Sequence, residues 1–153
     1  MSSEARMPKA SPIVTIDSLD LDAQGVARQS NEEGGKVLFI RGALPTERVT
    51  YTITREKARF AKAKLHELIK PAVYRTTPRC TYFGTCGGCS MQHLDFAAQI
   101  AMKQRVLEDD LWHIGRIKPQ EILRPIAGPA WHYRHRGRLS VIDRSIKKGT
   151  ILV

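Results

Sequence analysis

The stretch RVTYTITR, residues 48–55, carries an apolar or aromatic side chain at every second position through Val49, Tyr51 and Ile53. Successive side chains of a strand point to opposite faces, so these three share one face and the threonines between them take the other. Upstream, IVTIDSL (13–19) reads as a strand, DAQG (22–25) as a turn and VAR (26–28) as the start of a second strand. NEEGGK (31–36) is a glycine-bearing hairpin loop leading into the β-rich KVLFI (36–40), and RGALPTE (41–47) turns the chain at Gly42 and Pro45. Downstream, ARFAKAKLHELI (58–69) is ambiguous: alanine and lysine favour a helix, but Phe60 and Leu65 make no helical stripe. Four or five short strands with frequent turns predict a small closed barrel over residues 13–69, because closure removes exposed edges.

Beyond the barrel, Pro71 and Pro78 bracket a stiff linker, KPAVYRTTPR (70–79). Asp95 is a suitable cap for a helix running to about Ile114, with Gly115 as its stop. Phe96, Ile100, Leu107, Leu111 and Ile114 recur at spacings of three, four or seven, which predicts one buried stripe. Residues 128–153 return to β character: a strand around 133–142, a turn at RSIKKG (144–149) and then TILV. Residues 1–12 mix charges, proline and serine and are expected to be disordered. An end on apolar residues of a strand just begun suggests a fragment whose second domain is incomplete. The predicted fold class is mainly β with one long helix, a barrel followed by an incomplete α+β domain.

Lysine and arginine total 25 against 15 acidic residues, a formal charge of +10 that favours a polyanionic partner. No apolar run approaches the length of about 20 residues needed to span a bilayer. The first dozen residues lack the apolar core of a signal peptide. The expected location is the cytoplasm, where disulfides rarely persist.

That matters for the three cysteines, which all lie in CTYFGTCGGCS (80–90) as C-x5-C-x2-C. Neighbouring thiolates repel unless a cation neutralises them, and Gly84, Gly87 and Gly88 let the backbone wrap tightly around a negative cluster. Cys80, Cys86 and Cys89 supply three of the four ligands that an iron–sulfur cluster or a structural zinc requires. His93, four residues past Cys89, would complete a zinc site. Spacing alone leaves both metals open.

Arg55, Lys57, Arg59, Lys62, Lys64, Lys70, Arg75 and Arg79 face only Glu56 and Glu67 between residues 55 and 79. Arg134, Arg136 and Arg138 alternate along the predicted last strand, placing three guanidiniums on one face to meet successive phosphates. Tyr82, Phe83 and Tyr133 are candidates for stacking on unpaired bases, and His132 and His135 read as surface neighbours.

Taken together, SLDLDAQGVAR, KVLFIRGALPTERV, FAKAKL, PRCTYFGTCGGCSMQHLDFAAQIAMK and YRHRGRLSV resemble the N-terminal part of the bacterial RNA uracil-C5 methyltransferases, closest to the iron–sulfur branch acting on 23S ribosomal RNA. The resemblance covers about residues 13–153. It implies that residues 13–69 are a TRAM domain, an OB-like RNA-binding barrel, and that 80–153 begin a central domain. It also implies a [4Fe–4S] cluster on Cys80, Cys86 and Cys89 plus one distant cysteine beyond Val153, with His93 not a ligand. A C-terminal domain binding S-adenosylmethionine, with a cysteine nucleophile and a carboxylate base, is implied as well. Neither a catalytic residue nor a strand followed by G-x-G-x-x-G is visible here to seat the methyl donor. The loop SNEEGG is longer than the family pattern. Expected partners are 23S ribosomal RNA but no membrane and no obligate protein, the chain being a monomer. Two other readings compete: a non-catalytic RNA-binding TRAM protein with a zinc or iron–sulfur module, and a redox-sensing regulator.

Overall fold

The computed structural model describes residues 12–29 and 35–136. Six strands come first, β1 (Val14–Thr15), β2 (Ser18–Leu19), β3 (Gln24–Arg28), β4 (Val37–Arg41), β5 (Arg48–Glu56) and β6 (Phe60–Lys70), and the helix α1 (Phe96–His113) follows. The strands make one sheet in the order β1-β5-β6-β4-β3-β2, antiparallel throughout except between β4 and β6. β1 and β2 sit at opposite ends of that order, yet only Ile16 and Asp17 separate them in the chain. Three residue steps reach about 10 Å, so the two edges must approach each other. Ile16 N–H donates to the Glu47 carbonyl at 2.9 Å and Asp17 N–H to the Val26 carbonyl at 2.8 Å, tying the β5 side to β3. The sheet therefore curls on itself, consistent with a small OB-like barrel, and the described residues are mainly β with one helix. IVTIDSL, expected as one strand, is two, because the residues between them form the corner.

Gly25 of β3 lies close against the corner at Ile16 and the turn at Ala43. A Cβ there would stand 2.9 Å from the Ala43 carbonyl oxygen and 2.9 Å from Ile16 Cγ2. The ambiguous stretch 58–69 is strand, not helix: Ala61 and Ala63 are buried while Lys62 and Lys64 are exposed, a period of two. Helix propensity is worth only tenths of a kcal/mol per residue, and pairing with β4 on one side and β5 on the other outweighs it. Val49 and Tyr51 are buried as expected, but Ile53 is exposed: it pairs with Ala63 where the β5–β6 register shifts before Arg55.

Val14, Ile16, Leu38, Ile40, Val49 and Tyr51 lead the barrel core. A second cluster joins Leu19 and Leu44 of the barrel to Ala72 and Leu94, with Met91, Ala98 and Met102 packed against it. Residues 72–75, expected as linker, are docked. The fully buried Glu47 carboxylate accepts from Leu44 N–H at 2.8 Å, Ala72 N–H at 3.1 Å and the Arg75 guanidinium at 2.5 Å. Arg75 also donates to the Gly42 carbonyl at 2.7 Å, and Tyr74 donates its hydroxyl hydrogen to the Pro45 carbonyl at 2.5 Å.

Asp95 caps α1 by accepting from Ala97 and Ala98 N–H at 2.7 and 3.3 Å, as the sequence predicts. The buried stripe does not form. No residue of α1 is buried, and Phe96, Leu107 and Ile114 are exposed. The helix packs on the second cluster through Ala98 and Met102, while Ile100, Val106 and Leu111 are only half-buried. Residues 133–136 are not strand, and His132 before them has a φ of +58°. The rest of that predicted strand, the final turn and TILV, the hairpin-loop residues 30–34 and the expected disordered residues 1–11 lie outside the described residues.

Candidate functional site

The cysteine loop is closed at its base by an antiparallel bridge between Arg75 and Leu94. Thr76 N–H donates to the His93 carbonyl at 2.9 Å, and Asp95 N–H to the Tyr74 carbonyl at 3.0 Å. Gln92 spans the loop: its side-chain oxygen accepts from Cys80 N–H at 3.1 Å and its amide nitrogen donates to Cys89 Sγ at 2.8 Å. Gly88 N–H points at Cys86 Sγ at 3.4 Å. Gly84 and Gly87, at φ +82° and +76°, make turns that residues with a Cβ adopt only with strain. All three cysteines are free, Cys80 half-buried and Cys86 and Cys89 exposed. Three soft thiols with N–H donors directed at two of them suit a thiolate-bound metal centre chemically. Among the described residues no group of three or more His, Cys, Asp or Glu side chains stands close enough to hold a metal ion, so loading would require the loop to tighten.

His93 sits beneath this loop, buried, its ring 5.3 Å from that of Phe83. Neither ring nitrogen has a hydrogen-bond partner. Burial, reinforced by the nearby Arg75 cation and only partly opposed by Glu47, pushes its pKa down to about 4. The imidazole is neutral at pH 7. Phe83 is half-buried in this packing, whereas Tyr82 is exposed.

Cross-strand partners lie on one face of a sheet. Lys62 pairs with Phe39 of β4 and Arg55 of β5, and Lys64 pairs with Arg41 and Thr52. Arg41, Arg55, Lys62 and Lys64 therefore share the outer face, around the edge-to-face pair Phe39–Phe60 at 5.9 Å. Lys57 and Arg59 are exposed in the turn between β5 and β6. The Arg41 guanidinium also reaches the Gly84 carbonyl at 3.5 Å, so this face runs into the cysteine loop. Sequence reasoning missed Arg41 and Phe39. Their signal was the alternation of KVLFI continued by one residue, which sets Phe39 and Arg41 opposite Leu38 and Ile40. Arg75 is spent on Glu47 and is not available to a ligand. Arg134 and Arg136 are exposed in irregular chain rather than along a strand, and Arg138 lies outside the described residues.

No protein-family model matches the chain. Among curated proteins, it is 61% identical over 147 residues to the 23S rRNA (uracil(1939)-C(5))-methyltransferase RlmD of Polynucleobacter necessarius subsp. necessarius, covering 92% of this chain and 31% of that protein. The proteins of the same name from Burkholderia pseudomallei strain 1710b and Burkholderia cenocepacia strain HI2424 are 51% and 52% identical, over 99% and 95% of this chain and 33% and 32% of theirs. The chain thus spans about a third of the length of the relatives it matches. At this identity over nearly all of its length, the chain matches the N-terminal part of the family of 23S rRNA uracil-C5 methyltransferases.

Proposed function

We propose that this chain is the RNA-recognition and cluster-binding portion of a cytoplasmic enzyme that transfers a methyl group from S-adenosylmethionine to carbon 5 of a uridine in 23S ribosomal RNA. The observation that carries the reading is the outer face bearing Arg41, Arg55, Lys62 and Lys64, continuous with a loop of three free cysteines. In this reading the curled sheet is a TRAM domain, and its cations, with Lys57 and Arg59, neutralise phosphates. Tyr82 and the exposed arginines Arg134 and Arg136 extend the surface past the loop, with Arg138 assigned to it from sequence; Phe83 is assigned to RNA only through the face not packed on His93. Cys80, Cys86 and Cys89 hold a [4Fe–4S] cluster, which when bound supplies a rigid hub for the loop. Gln92 and the Gly88 N–H orient two of the thiolates.

Methylating carbon 5 of uracil needs a thiolate to add at carbon 6 and a base to take the carbon 5 proton. With all three cysteines committed to the loop, the chain alone binds RNA without methylating it. Incubation with labelled S-adenosylmethionine and unmodified ribosomal RNA should leave uracil unlabelled. Anaerobic reconstitution with iron and sulfide should give a brown, air-sensitive protein with broad visible absorbance. Cys86→Ser should abolish that colour and His93→Ala should leave it nearly unchanged.

The unpartnered nitrogens of His93 favour a second reading, in which a neutral imidazole and three thiolates hold zinc in a finished RNA-binding module. One zinc per chain, lost on His93→Ala, would select it over the cluster.

A further inference from the structure

The large aromatic side chains are used in two ways. Tyr51 fills the barrel core, and Phe39 and Phe60 pack on each other. Around the base of the cysteine loop, by contrast, Tyr82 is 68% exposed, Tyr133 61% and Trp131 39%. Two of these rings carry an arginine: the Arg79 guanidinium stands 4.8 Å from the Trp131 ring centre, and that of Arg134 stands 5.6 Å from Tyr133. Between the two rings His132 adopts the left-handed conformation, at φ +58°. A residue held there breaks the alternation of an extended chain, so its two neighbours are freed from pointing to opposite sides. Neither core cluster contains these rings. Arg79 immediately precedes Cys80, whose N–H is held by Gln92, so the contact with Trp131 brings residues 131–136 to the root of the loop.

We infer that Arg79, Trp131, Tyr133 and Arg134 form a stacking platform for unpaired ribonucleobases, separate from the phosphate-binding face of β4, β5 and β6. The inference rests on the proposed role in RNA recognition and deepens it. Exposed aromatic faces backed by guanidinium planes are the chemistry on which splayed bases stack, and they accept any base because every base has a π-face. Bases inside a duplex are already stacked on one another. The platform therefore selects single-stranded segments, whereas the cations of the sheet act on any phosphate backbone.

The chain has two tryptophans, so Trp112→Phe leaves Trp131 as the sole emitter. This variant of the full chain is titrated with a single-stranded RNA of mixed sequence and with a duplex RNA of equal phosphate number. Single strand should quench Trp131 fluorescence and duplex should not. Trp131→Ala should weaken single-strand binding by about 5- to 150-fold, the effect of losing one stacked base, without changing the salt dependence. Trp131→Phe should recover most of the loss. Equal quenching by both RNAs would overturn the platform. So would salt-dependent single-strand binding with no quenching and no loss in Trp131→Ala, which would leave RNA recognition itself intact. Absence of binding to either RNA at any salt would remove both. Should Trp131→Ala fail to fold, the quenching titration decides alone.

Discussion

His93 and Glu47 are two buried titratable residues solved in opposite ways. Glu47 is desolvated, which raises its pKa, but Arg75 and the N–H groups of Leu44 and Ala72 outweigh burial and hold the carboxyl below its ordinary value. His93 has no partner, so the neutral ring is what burial favours, with a pKa near 4 against an ordinary 6.5. The unfolded chain takes up a proton at higher pH than the folded one. Stability from His93 is therefore complete above about pH 6.5 and is lost progressively as pH falls toward 4, by about 3 kcal/mol in all. Glu47 adds a further loss below its ordinary carboxylate range. Urea unfolding of His93→Leu should show the pH 6.5–4 slope flattened, with stability at pH 7 equal or higher, since an apolar side chain of similar volume leaves no polar atom unsatisfied. An unchanged slope would mean that another group titrates. Glu47→Gln should cost about 3–5 kcal/mol at pH 7, because it strands the Arg75 charge against the barrel. A loss below about 1 kcal/mol would mean that water reaches Arg75.

At the level of elements, local signals read correctly where local physics decides. The alternation of Val49 and Tyr51 and the Asp95 cap are of that kind, and both stand in the structure. β6 was illegible because its alanines and lysines suit a helix; the parallel pairing with β4 that makes it a strand involves residues 37–41, which no local pattern links to 60–64. The stripe on α1 failed for the converse reason. Its periodicity marks residues fit for burial, but only tertiary contact buries them, and the described residues offer it at Ala98 and Met102. The candidate site was legible in kind, as three thiols and a basic stretch, while the place of Arg41 beside Lys64 and that of Gln92 across the loop emerge only from register and loop closure. Gly25→Ala tests the curl: with Ala43 backbone and Ile16 at 2.9 Å, thermal unfolding should show a loss of about 1–3 kcal/mol. An unaltered midpoint would mean that the corner at Ile16 yields without cost.

Across the whole molecule, the barrel and the segments on either side of the cysteine loop share a core through Ala72 and Leu94 and one ion pair, Arg75–Glu47, which anchors the base of the loop to the barrel that carries the basic face. Arg41 touches both. A charge of +10 sets the expectation of RNA binding, but its placement on adjacent strands is what makes the expectation specific to residues. The decisive measurement is the affinity of the chain for a 23S ribosomal RNA fragment as a function of salt, compared with that of Lys62→Ala/Lys64→Ala. Each lost phosphate contact removes roughly 0.7–0.9 from the slope of log affinity against log salt, so the double variant should bind more weakly with a slope shallower by about 1.5. Salt-insensitive binding, or a double variant with the slope of the parent, would contradict the assignment of this face to RNA.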